Sequence, residues 1–158
     1  MIFVVYDGAY KSNRSFGELI KVIYENFVHL SKYPELNHNI ATIKKNINSN
    51  NKILILCFDN NYRHLLGYLL GYDIVLNDGR YVMFISYVYV SKHMRSRGIG
   101  KKFLHICFKE AEMRRCEGIM LTCDTDDNHV MKFYENMDFM LDFNLRRYAK
   151  YDVLYRVL

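Results

Sequence analysis

The 158-residue sequence has no tryptophan, a single proline and only four cysteines, and the last two scarcities each exclude something. With one proline in the whole sequence, no linker, repeat or low-complexity segment divides the chain. Cys57, Cys107, Cys116 and Cys123 make no Cys-x-x-Cys pair and lie inside apolar periodic segments. A disulfide framework is therefore not expected; free core thiols in a reducing, cytoplasmic compartment are. The six histidines are scattered and contain no His-Glu-x-x-His, so no metal site is expected. No apolar run approaches the roughly 20 residues that span a bilayer, so no membrane partner is expected. The opening MIFVVYDG lacks a basic leader and a small-residue cleavage site, and reads as a first strand rather than a signal peptide.

What remains is an ordinary soluble composition, 51% hydrophobic and 25% charged, in a length that makes one domain over residues 1–158. The net charge of +5 would favour an anionic ligand, and it raises nucleic acid and anionic membrane as alternatives. Outside one loop, however, the basic residues are dispersed rather than gathered in a stripe, which argues against a nucleic-acid module.

Along the chain, Ile2 to Tyr6 reads as a strand. Ser15 with Glu18 forms a capping box, and Leu19, Ile20, Ile23, Phe27 and Leu30 recur at helical spacing, so the spacing predicts a helix over 16–30. Pro34 ends that unit, and Leu36 to Ile47 reads as a second helix. Lys52 to Phe58, KILILCF, reads as a continuous apolar, central strand. Asp59-Asn60-Asn61 and Asn77-Asp78-Gly79 are turns on either side of a strand over 63–76, and Arg80 to Val90 is the fourth strand. Gly67 and Gly71 in the third strand mark bulge or close-approach sites. A long helix follows, then a strand over 118–123, a short helix over 126–137, and two closing strands over 139–148 and 152–158.

The stretch from Val88 to Ala111, VYVSKHMRSRGIGKKFLHICFKEA, carries the clearest chemistry. It runs from strand through a basic loop into a helix at Gly98-Ile99-Gly100, where Ile99, Phe103, Cys107 and Ala111 are spaced four apart. The first helical N–H groups have no internal partner and the helix dipole adds positive potential, so this turn can hold phosphates. Arg95, Arg97, Lys101 and Lys102 supply full charge, and glycine at 98 and 100 leaves room for approach. A Walker A loop would need glycine where Arg95 stands and Ser or Thr where Lys102 stands. A dinucleotide fingerprint would need glycine where Phe103 stands.

Arg95-x-x-Gly98-x-Gly100, with its Val-x-Val strand before and Lys-Lys-Phe-Leu after, resembles the acetyl-CoA-binding motif of the GNAT superfamily of N-acetyltransferases. The order of elements resembles that family along the whole length. The resemblance implies a mixed α/β (α+β) fold, with a mostly antiparallel sheet of six to seven strands flanked by about four helices. It implies acetyl-CoA as co-substrate, held by Val88, Tyr89, Val90, Arg95, Ser96, Arg97, Gly98, Ile99, Gly100 and Lys101. The other partner would be an amine acceptor, a small molecule or a protein. The oligomeric state is left between monomer and homodimer.

A second segment, DNHVMKFYENMDF over 127–139, is similar to the family's Asn-x-x-Ala-x-x-x-Tyr-x-x-x-Gly-Phe. Tyr134 and Phe139 fall on their slots, whereas the Asn slot holds Asp127, with Asn128 one residue late, and the Gly slot holds Asp138. Read locally, Tyr134 is an aromatic on an amphipathic helix and fits a core role. The resemblance implies that it contacts the cofactor and gives a proton to the departing thiolate, and that Asn128 is a cofactor contact if the helix starts one residue later. Many members place a glutamate base on the fourth strand; here Ser86 and Tyr87 stand there. The base is open between a water chain from Ser86 or Tyr87, Asp124, and an amine already neutral in solution. Direct attack in a ternary complex is the implied route, because neither Cys107 nor Cys123 has a histidine at readable spacing for an acyl-enzyme. A domain that binds acyl-CoA without turnover is the alternative, favoured by the missing carboxylate.

Overall fold

The computed structural model describes residues 1–6, 23, 40–124, 126–142, 144 and 151–158. Its strands are β1 (Ile2–Val5), β2 (Lys52–Phe58), β3 (Leu65–Val75), β4 (Tyr81–Val90), β5 (Gly118–Cys123), β6 (Met140–Leu141) and β7 (Asp152–Val157). Its helices are α1 (Ile40–Asn48), α2 (Ile99–Met113) and α3 (Asn128–Glu135). One seven-stranded sheet runs in the order β1-β2-β3-β4-β5-β7-β6. Every neighbouring pair is antiparallel except β4 and β5, which are parallel. A parallel pair needs a crossover, and α2 supplies it. The mixed, mostly antiparallel sheet expected from the sequence is the one present.

β2 is apolar throughout because both of its faces are covered, and six of its seven residues are buried. It is an interior strand between β1 and β3; the middle of the sheet is β4. One face carries α2, whose buried Ile99, Phe103, Leu104, Cys107, Phe108 and Ala111 join Ile53, Ile55, Leu69, Met83, Ile85 and Leu121 in the main core. Each such aliphatic or aromatic side chain stabilises the fold by about 1.5–3 kcal/mol through the area it removes from water. The other face carries Ile47 of α1 and Ile23, packed on Leu54, Leu56, Phe58, Tyr68 and Leu70.

Some boundaries differ from expectation. β3 and β4 begin at Leu65 and Tyr81, because the preceding residues close loops: the Arg63 amide donates to Asp59 Oδ1 at 2.8 Å, and the Leu76 amide to the Arg80 carbonyl at 2.8 Å. In β3, an added Cβ at Gly67 would meet the Tyr89 carbonyl and one at Gly71 the Phe84 carbonyl, so both glycines are close-approach sites. The helix expected over 16–30 lies outside the described residues, save for a helical, buried Ile23. α1 is described from Ile40, and its expected start at Leu36 also lies outside them. Of the strand expected over 139–148 only Met140–Leu141 is strand among the described residues. At the far end of α2, the Arg114 guanidinium donates to Asp73 Oδ1 at 2.6 Å and to the Lys52 and Asn51 carbonyls, which ties the helix to β2 and β3.

Candidate active site

The site begins with a mismatch between two strands. β4 and β5 pair from Val82↔Gly118 to Ile85↔Leu121 and no further, although β4 continues to Val90 and β5 to Cys123. The register against β3 jumps at the same place, from Leu70↔Tyr87 to Gly71↔Ile85, so Ser86 is an extra residue in β4. The bulge changes which residues face which side. Before it Met83 and Ile85 face the α2 core; after it Val88 and Val90 do, while Tyr87 and Tyr89 turn to the opposite cluster. Beyond Ile85 the β5 side of β4 has no strand partner among the described residues.

The chain then makes a 3-10 turn over Lys92–Met94 and enters α2 through two left-handed residues, Ser96 at φ 59° and Gly98 at φ 79°. Gly98 is the N-cap of α2 and has no side-chain capping bond, and the first turn holds no acidic residue. The first intrahelical bond is from the Lys102 amide to the Gly98 carbonyl, 2.9 Å, which leaves the amides of Ile99, Gly100 and Lys101 without a helical acceptor. Arg95 folds back, its Nε donating to the Val90 carbonyl at 3.1 Å, and so braces this turn against the end of β4.

The two glycines differ in what surrounds them. An added Cβ at Gly98 would meet nothing within 4 Å, so glycine serves there for its positive φ. At Gly100 an added Cβ would stand 3.2 Å from Cζ of Phe133, so glycine serves there to let α3 approach α2.

Between α2 and α3 lies a cleft of about 660 Å³. Its floor is Val88, Tyr89 and Val90; Met94, Arg95, Ser96 and Gly98 to Lys101 form one wall. The other wall is α3, with His129, Val130, Lys132, Phe133, Tyr134 and Asn136. The structure thus brings together all the candidate residues except Arg97 and Asn128, which are exposed and not among the lining residues. Asn128 opens α3 because Asp127 takes the N-cap, its Oδ1 accepting from the His129 and Val130 amides at 3.1 Å each. This is why the helix expected over 126–137 starts two residues late.

Sequence reasoning missed Met94, His129, Val130, Lys132, Phe133 and Asn136. The three polar ones look like a solvated helix face, and only the approach of α3 to Gly100 makes them a wall. The lining includes Arg95, Lys101 and Lys132 and no carboxylate among the described residues, with Val88, Val90, Val130 and Phe133 between them. This suits an elongated ligand with anionic groups toward one end and an uncharged arm, in a volume ordinary for cofactors.

Tyr134 is half-buried at the cleft, its ring edge-on to Phe133 at 5.1 Å and to Phe139 at 5.6 Å. Burial pushes its phenol up, with Cys123 adding to the effect, so it stays protonated at neutral pH. Tyr87, pushed up to about 12 by burial, and Ser86 do not line the cleft. Asp124 serves its turn, accepting the Asp126 amide on Oδ1 at 3.1 Å and the Asp127 amide on its carbonyl at 3.2 Å. Burial pushes the Cys123 thiol up to about 11 and Cys107 higher still, which disfavours the thiolate an acyl-enzyme would need.

Compared with known proteins, residues 16–139 match the model of the acetyltransferase (GNAT) family. No curated protein matches the chain. Among solved structures, the NatC complex bound to Gag peptide and CoA contains a chain that superposes with a TM-score of 0.75 at 19% identity, covering 100% of this chain and 99% of that one. The PaiA N-acetyltransferase from Thermoplasma acidophilum, in complex with coenzyme A, gives 0.69 at 14% identity with 100% of both chains covered. A GNAT-family acetyltransferase from Staphylococcus aureus gives 0.67 at 18% identity with 99% of each covered. Identities this low speak to the fold alone.

Proposed function

The chain belongs to the acetyltransferase (GNAT) family, and from that premise we propose that it is an N-acetyltransferase moving the acetyl group of acetyl-CoA to a primary amine by direct attack in a ternary complex. The observation that carries the reading is the parting of β4 from β5 at Ile85, opposite the uncapped N-terminus of α2. Acetyl-CoA, the co-substrate, supplies an acyl group activated as a thioester. The chain's own part is to bind and orient it. The free amides of Ile99, Gly100 and Lys101, with Arg95 and Lys101, receive the diphosphate. The unpaired edge of β4 around Val88 to Val90 aligns the uncharged arm, and a backbone N–H there faces the carbonyl oxygen that gains charge during attack. A preorganised donor of this kind contributes about 3 kcal/mol to acyl transfer. Tyr134 holds a proton at its hydroxyl for the departing sulfur.

With no carboxylate in the described lining, the acceptor reaches the site as the free amine or loses its proton to water. The structurally similar NatC complex is bound to a Gag peptide as well as CoA, which makes a protein amine one acceptor to test, beside small amines. The same missing carboxylate favours the second reading, a domain that holds acyl-CoA without turning it over.

Incubation with acetyl-CoA and a panel of peptides and small amines, with thiol release and intact-mass readout, separates the two. The enzyme releases one thiol per acetylated amine. In the second reading acetyl-CoA raises the thermal midpoint by mass action, yet no member of the panel is acetylated.

A further inference from the structure

α3 and its C-cap present His129, Lys132 and Asn136 along the cleft, at i, i+3 and i+7, so all three lie on one stripe facing the α2 wall. They are exposed, whereas Val130, Phe133 and Tyr134 of the same wall are half-buried. The stripe is thus the polar rim and the others the apolar interior. Lys132 forms no ion pair among the described residues, and no carboxylate lines the cleft among them. The α2 wall already has three open amides, Arg95 and Lys101 for a diphosphate. A further free cation on the opposite wall exceeds what one diphosphate needs.

We propose that Lys132 binds a second phosphate of the co-substrate, separate from the diphosphate held at α2, and makes the site select coenzyme A carrying its 3′-phosphate over the dephosphorylated form. The inference rests on the co-substrate reading given above. Lys132 also stands in the last turn of α3, where a cation favours the helix dipole. A purely structural role of that kind would affect stability without discriminating between ligands.

The test is titration calorimetry of coenzyme A and 3′-dephospho-coenzyme A against the wild type, Lys132→Gln and Lys101→Gln. The wild type is expected to bind coenzyme A about two- to fivefold more tightly, the scale of one exposed charge pair. Lys132→Gln should bring that ratio close to one by weakening coenzyme A alone, and Lys101→Gln should weaken both ligands alike. A ratio unchanged in Lys132→Gln, or no preference in the wild type, would overturn the proposal while leaving the co-substrate reading intact. If the wild type bound neither ligand, the co-substrate reading would fall and the role of Lys132 with it.

Discussion

Gly100 and Phe133 are packed so that a methyl group added to the glycine would press on the ring, with 3.2 Å between the new carbon and Cζ. Glycine at the start of α2 and the aromatic one place before Tyr134 are thus two halves of one contact, which sets the distance between the walls of the cleft.

Gly100→Ala should therefore act on the ligand more than on the fold. Alanine suits the helix better than glycine does, so the thermal midpoint should stay within a few degrees. The ring must give way, and where it gives way into the cleft an overpacking strain of about 1 kcal/mol corresponds to a roughly fivefold weaker Kd for coenzyme A. Calorimetry on the folded variant checks this; an unchanged Kd would mean the ring has room to move away.

Asp138 has φ 64° and occupies the position where the family pattern has glycine, the residue that adopts this left-handed conformation at no steric cost. Aspartate tolerates that region better than most residues do, at a cost of about 1 kcal/mol or less. Its pair with Arg156, 3.7 Å from a carboxylate whose side chain is 84% exposed, adds little. Asp138→Gly should leave the melting midpoint unchanged or raise it by up to about 3 °C, since relief of the conformation is partly offset by a more flexible unfolded chain. A fall of several degrees would show that the Arg156 pair matters.

The buried thiols make the fold sensitive to alkali. Burial raises Cys57 and Cys123 from 9.0 to about 11, so the folded chain keeps protons that the unfolded chain releases. Their contribution is complete below the unfolded value near 9, shrinks as pH rises toward 11, and is lost above it. Melting midpoints from pH 7 to pH 10.5 should hold steady and then fall beyond about pH 9. Replacing Cys57 and Cys123 by alanine should make the alkaline limb shallower, with Cys107, raised further by burial, keeping part of it; a limb as steep as the wild type's would assign it to other groups.

Where the sequence encodes structure locally, it was legible. β2 and β5 have the bounds expected, because each is an apolar run closed by polar or glycine residues at its ends. The entry into α2 was equally plain, since two glycines and a basic loop after a Val-x-Val strand state their geometry directly. The bulge at Ser86 was not legible, because its only trace is a shift in which residues face the core, and Tyr and Val are at home on either face of a strand. Nor was the α3 wall: His129, Lys132 and Asn136 have the spacing of an ordinary solvent-facing stripe, and only the close approach at Gly100 turns them toward a ligand. Asp127 illustrates a third case. Its capping bonds to the His129 and Val130 amides fix the helix start and leave Asn128 outside the cleft, a choice between neighbours that spacing alone does not make.

The most direct test of the account uses Tyr134→Phe, once an acceptor is known. The ring that packs on Phe133 and Phe139 is kept and only the hydroxyl is lost, so fold and coenzyme A affinity should persist. At saturating acetyl-CoA the rate should fall roughly 10²-fold, the scale of one general acid, with Kd for coenzyme A within a factor of about two. A rate within a few-fold of the wild type would contradict the account and return Tyr134 to a packing role in the core.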